Sequence, residues 1–245
     1  MSAKTGPVSA ADNTTTLLLF DVDGTLLHQA TAEHAEALHL ALREVHGIDV
    51  TASARASLSP AGRTDGEIAR ALLLNSGVSA RRIDERAVDV RVACCEAYAR
   101  LVPPDLSHTV LPGIPELLSE LDAHDNVRLS LVTGNFEPIA RLKLGHAGIG
   151  DHFPPRQGGF GSDDEDRAAL PHIARKRAGH DGIEFPRTRT IVIGDTPRDI
   201  ACARADDVRC FAVATGPFGV DELQSADAVA ADARQLGEQL RDVLS

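Results

Sequence analysis

Apolar and polar positions follow two different rhythms along this chain, and the change of rhythm divides it. The run Thr16-Leu-Leu-Leu-Phe20 is short and continuously apolar after its first residue, as in a strand buried on both faces. From there to Leu101 the spacing is helical. Residues 32–45 carry apolar side chains three and four apart. Thr64-Asp-Gly-Glu67 has the form of a capping box ahead of Leu72-Leu-Leu74, with Gly77 as the stop. Ser79 is placed to cap a further helix that reaches Leu101 through Val88, Val92 and Ala97, and Pro103-Pro104 ends the block.

A second rhythm begins at Leu111. It predicts a helix over 114–122, a strand over 127–132, a helix over 136–147 closed by Gly148, and a short strand near 157–160. A helix near 166–177, a strand over 190–193, another helix, a strand over 210–214 and a final amphipathic helix follow. Strands alternating with helices predict an α/β protein with a doubly wound, Rossmann-like parallel sheet. The first strand joins that sheet, so the helical block is an insertion after it, able to lie over the carboxyl ends of the strands as a lid. Residues 1–14 read as a disordered tail, 15–28 and 105–245 as the α/β core, and 29–104 as a helical cap.

Bulk properties narrow the partners. A length of 245 residues, 43% hydrophobic and 25% charged, suits a globular core plus a smaller unit. A formal net charge of −11 argues against nucleic acid or an anionic membrane as partner, and the absence of Trp removes the usual stacking platforms. No apolar stretch approaches the ~18 residues needed to span a bilayer. The N-terminus is polar and lacks the apolar core of a signal peptide. Cys94, Cys95, Cys202 and Cys210 match no zinc spacing, so a reduced, cytoplasmic compartment is expected.

The chemistry gathers at strand ends, where open α/β sheets bind ligands. Directly after the first strand come Asp21, Val22, Asp23, Gly24 and Thr25. Two carboxylates in one tight turn repel each other unless a cation lies between them or one keeps a proton. They therefore suggest a Mg²⁺ site, a nucleophile with a partner acid, or both. Thr133, Gly134 and Asn135 follow the second strand, with a hydroxyl and backbone N–H groups at a helix start, a ready anion site. Asp195 leaves the strand over 190–193, and Asp199 lies one helical turn further on. Lys143 lies within roughly 25° of the apolar direction of its helix, where a lysine needs a charged partner. Arg63 sits in a loop of the helical block, ahead of a helix start.

The order DxDGT, then a Thr after the second strand, then a Lys, then GDxxxD resembles the motif order of the haloacid dehalogenase-like hydrolase superfamily. The helical insertion is similar to the cap of its phosphoglycolate phosphatase-like branch. The resemblance implies a Mg²⁺-dependent phosphatase acting on a small phosphorylated metabolite. Asp21 would be the nucleophile and Asp23 the general acid and base. Asp21, Asp195, the main chain of Asp23 and Asp199 would surround the metal. Thr133 and Lys143 would hold the transferring oxygens. Thr25, Gly134, Asn135 and Arg63 would contact substrate, Arg63 from the cap. The chain departs from the pattern by lacking the Lys-Pro pair that many relatives place before the fourth motif. That region reads Gly161-Ser-Asp-Asp-Glu-Asp-Arg167, so the cation is either Lys143 or Arg167. Lys143 is the expected one, since the acids at 163–166 would neutralise Arg167 locally. A phosphomutase, a dehalogenase and a non-enzymatic binding module on the same fold stay as alternatives, with substrate and oligomeric state open.

Overall fold

A computed structural model describes residues 14–28, 30–51 and 58–244. The expected tail therefore lies almost wholly outside the described residues. Six parallel strands form one sheet in the order β3-β2-β1-β4-β5-β6. They are β1 (Thr16–Phe20), β2 (Val127–Thr133), β3 (Gly159–Phe160), β4 (Thr190–Gly194), β5 (Arg209–Val213) and β6 (Ala228–Ala230). β1 is central, with Leu18 opposite Leu129 of β2 and Ile191 of β4.

The continuous apolar run of β1 follows from burial on both faces. Leu18 and Phe20 pack on one side with helices α4 (Ile114–Asp122), α5 (Glu137–His146) and α8 (Ala233–Leu244). Leu17 and Leu19 pack on the other with α6 (Leu170–Ala178) and α7 (Pro197–Ala205). Each such fully buried leucine contributes about 1.5–3 kcal/mol.

Between β1 and α4 lie α1 (Ala32–His46), α2 (Asp65–Asn75) and α3 (Ala80–Leu101), as expected for a helical insertion. They bury a core of their own, including Leu38, Leu42, Leu72 and Tyr98, which extends onto Phe136 and Ile139 beside β2. The chain enters and leaves this block side by side: His28 N–H donates to Thr109 O (2.8 Å) and Leu111 N–H to Leu26 O (3.0 Å).

Local differences from expectation have local causes. Thr64 caps α2 by accepting from Glu67 N–H at 3.1 Å, but the Glu67 carboxylate turns to Arg63, so half of the expected capping box is missing. The helix near 166–177 opens as a 3-10 turn, Arg167–Ala169, under an Asp166 cap, and becomes regular where Pro171 allows it. β6 was not expected; Ala-Val-Ala is too short a run to show a period. Among the described residues no helix is long and apolar enough to cross a membrane.

Candidate active site

The carboxyl ends of β1, β2 and β4 converge under the helical block on a cavity of about 430 Å³. Asp21 and Asp23 leave β1, Thr133 to Asn135 leave β2, and Asp195 leaves β4, and all line the cavity. One carboxylate oxygen each from Asp21, Asp195 and Asp199 lies within 4.8 Å of the others, and all three residues are buried. Gly24 has φ of 91°, and a Cβ there would run into the Asp195 carboxylate; a Cβ at Gly216 would too. Both backbones therefore pack closely around Asp195. Thr25 Oγ1 donates to Asp195 Oδ1 at 3.1 Å, while Asp195 Oδ2 is buried with no partner.

Asp199 both caps a helix and joins the acidic group. Its Oδ2 accepts from Thr196 N–H (3.0 Å) and Thr196 Oγ1 (2.7 Å) at the start of α7. Its Oδ1 accepts from Arg167. Burial pushes the Asp21 carboxyl up to about 6, with the charges of Asp199 and Asp23 adding and Arg167 opposing. Burial raises Asp195 to about 8, helped by the charges of Asp21 and Asp199. Three carboxylates against one guanidinium leave an excess of negative charge in a dry place. An all-oxygen donor set with an orphaned carboxylate oxygen fits a hard divalent cation such as Mg²⁺.

Asp23 is set apart from this group. Lys143 Nζ donates to both of its oxygens, at 2.8 and 2.6 Å, and Asn135 Nδ2 donates to Oδ2 at 2.9 Å. Burial alone would raise the Asp23 carboxyl; the charges of Lys143 and His34 and these hydrogen bonds outweigh it and hold the carboxyl below its ordinary value. Asn135 also donates to Thr133 Oγ1 at 3.1 Å, so its side chain ties the turn after β2 to the acid of β1. The sequence pointed to the Asn135 backbone and did not show this side-chain role.

The geometry corrects the expectation that Arg167 is neutralised by its neighbours, and it sets Lys143, expected to face a bound phosphate, against Asp23. Lys143 is fully buried, as its place in the apolar stripe required, but its ammonium is spent on Asp23. Arg167 lines the cavity, 3.3 Å from Asp21 Oδ1 and bonded to Asp199. The neighbouring acids do not neutralise it. Asp163 pairs with Arg177, Glu165 with Arg70, and Asp166 caps the 3-10 turn. Asp199 and Asp21 keep the Arg167 guanidinium charged against the pull of burial.

Arg63 lines the cavity from the cap side, with Nε on Ser59 O (3.0 Å) and Nη1 on Glu67. Of the Gly134 and Asn135 N–H groups expected to receive an anion, that of Asn135 is directed at Thr133 Oγ1 (3.4 Å), and the next two at the start of α5 are taken. Phe136 N–H donates to Asp65 Oδ2 at 2.7 Å and Glu137 N–H to Ser162 Oγ at 2.7 Å. Asp65, in the inserted block, is buried; its Oδ2 also lies 3.0 Å from His34 Nε2, and its own N–H donates to Gly134 O at 2.8 Å. One cap residue thus clamps the loop after β2. Asp65→Ala should destabilise the protein by about 1–3 kcal/mol, since a buried N–H loses its acceptor. Urea denaturation measures this, and a change below about 0.5 kcal/mol would show that the clamp is dispensable.

Fold and site together are those of a capped α/β hydrolase. A model of haloacid dehalogenase-like hydrolases matches residues 18–204, and the chain belongs to that family. Phosphoglycolate phosphatase from Rhodospirillum rubrum is 29% identical over 228 residues, covering 91% of this chain and 90% of its own. Two solved structures share the fold. β-Phosphoglucomutase from Clostridium difficile has a TM-score of 0.65 at 20% identity, covering 94% of this chain and 97% of its own. CbbY from Rhodobacter sphaeroides, solved with phosphate, has a TM-score of 0.64 at 19% identity, covering 91% and 96%.

Proposed function

We propose that the protein is a Mg²⁺-dependent phosphatase that hydrolyses a small phosphorylated metabolite through an aspartyl-phosphate on Asp21. The observation that carries this is the separation of Asp21, among Asp195, Asp199 and Arg167, from Asp23, held by Lys143 and Asn135. The Asp21 carboxyl, beside Arg167 and the acidic group, is placed to be the nucleophile, while Asp23, held ionised by Lys143 and Asn135 in the free protein, must take up a proton as substrate binds before it can act as the acid.

In this reading an Asp21 oxygen attacks phosphorus and the P–O ester bond breaks. Asp23 gives its proton to the departing alkoxide. Asp23 then takes a proton from water, whose oxygen attacks phosphorus and frees Asp21, so that ester and water become alcohol and inorganic phosphate. Arg167 and Thr133 steady the phosphoryl oxygens. Asp21, Asp195 and the main chain of Asp23 would hold the metal, with Asp199 beside them. When bound, a divalent cation would supply positive charge that offsets the charge of the transferring group. Residues 29–104 act as a cap over the core of 15–28 and 105–245, excluding bulk water and choosing the alcohol.

The test is phosphate release from p-nitrophenyl phosphate with Mg²⁺ and with EDTA. Activity that persists in the chelator would sink the metal-dependent reading. A second readout needs no turnover. A carboxyl whose folded pKa is raised stabilises the fold below its unfolded value, near 4, and loses that contribution as pH climbs through the raised value. Asp21 and Asp195 place that loss between about 4 and 8. Metal-free protein should therefore lose stability across this range. The rise in Tm on adding Mg²⁺ should be larger at pH 8 than at pH 6. An equal rise at both would place the ion elsewhere.

A further inference from the structure

The cavity is built from two unlike halves. The core half carries the carboxylates, Arg167 and the turn after β2. The cap half is largely apolar, with Leu38, Leu58, Pro60, Ile68 and Leu72 on its wall. The total of about 430 Å³ lies within the range of pockets that enclose drug-sized ligands. A two-carbon alcohol would leave most of the apolar half unfilled.

Charge on the cap wall points the same way. Among the described residues that line it, each basic group already faces an acid. Arg63 is bonded to Glu67, whose carboxylate also lies 3.8 Å from Arg198. His34 is 3.0 Å from Asp65, and His39 is 4.0 Å from Glu36. A carboxylate or second phosphate on the leaving group would lose its hydration here and meet Asp65 rather than an unpaired cation.

Resting on the phosphatase reading, we infer that the substrate is a monophosphate ester of an uncharged, largely apolar alcohol of several carbons. Its phosphate lies at Asp21 and Arg167, and its carbon chain lies along Leu38, Ile68 and Leu72. This excludes phosphoglycolate, whose alcohol carries a carboxylate, and bisphosphorylated sugars.

A matched pair of probes tests this: n-hexyl phosphate and 6-(phosphonooxy)hexanoate, equal in length and differing in a terminal carboxylate. Binding is measured by calorimetry with Mg²⁺ on the parent protein, using the non-hydrolysable phosphonate counterpart of each ester, so that affinity is read apart from turnover. The hexyl phosphonate should bind at least about tenfold more tightly. Ile68→Lys, which adds a cation to the cap wall, should narrow that ratio. Equal or reversed affinities, or no binding of either probe, would overturn the inference. So would an unchanged ratio in a folded Ile68→Lys protein. If the hexyl phosphonate binds preferentially and the parent protein releases phosphate from neither ester nor from p-nitrophenyl phosphate, the cavity assignment stands and the phosphatase reading falls.

Discussion

Asp21→Asn should lower turnover by at least about 10⁴-fold while leaving the fold intact, because an amide oxygen neither attacks phosphorus usefully nor holds a divalent cation well. The structure supplies a control against trivial loss by unfolding. Asp21 is buried, and its carboxyl is raised to about 6 by burial and by the charges of Asp199 and Asp23. At pH 8 the parent side chain is ionised against that cost in the folded protein but at little cost when unfolded. A neutral replacement of the same shape removes the penalty. The metal-free variant should therefore melt at or above the Tm of the metal-free parent at pH 8. An inactive protein with an unchanged or higher Tm is the expected pair of results. Near-parental phosphate release would eliminate the covalent route, and a lower Tm would mean that Arg167 needs the carboxylate for packing.

Arg167 and Lys143 should fail in different ways when removed. Arg167→Ala deletes the guanidinium that lines the cavity beside Asp21, so kcat should drop on the order of 10²-fold or more at every pH. Lys143→Met keeps the length and apolar character of a fully buried side chain but leaves Asp23 without its ammonium. With that charge gone, burial dominates and the Asp23 pKa moves upward. The signature is a displaced acidic limb in the pH–rate profile, with substrate affinity largely kept. The comparison is made at saturating Mg²⁺. Nearly normal kinetics in Arg167→Ala, together with a loss of phosphate affinity in Lys143→Met, would reverse the two assignments.

Sequence reading reached the elements whose signals are local. β1 and its acidic turn stand out because a doubly buried strand needs no alternation and a turn with two carboxylates is rare beside it. Asp195 is visible for the same reason at the end of β4. The buried place of Lys143 follows from helical geometry, which sets a side chain's direction but not the atom it meets. Its partner, Asp23, belongs to another strand. That Arg167 is not neutralised by its acidic neighbours was hidden because their partners are set from afar, by Arg70 in the inserted block and Arg177 in α6. Asp65 looked like an ordinary second residue of a capping box. That it clamps the start of α5 depends on how the block sits over β2, and no spacing within residues 64–67 records this.

The sheet order has a consequence for how the molecule comes to exist. Among the described strands β1 leaves the ribosome first, yet Leu18 must pair with Leu129 on one side and Ile191 on the other. Both partners are synthesised after the entire helical insertion. A largely apolar strand therefore waits with both edges unsatisfied until β2 is made, and with one until β4 is made, exposed to the kind of edge pairing that drives aggregation. Contacts so distant along the chain also slow folding, because closing the long loop costs entropy before any pairing repays it. The inserted helices pack largely among themselves and come between these events. They can form early from local contacts, and the hydrogen-bonded segments where the chain enters and leaves them then hold the two halves of the core within reach of each other.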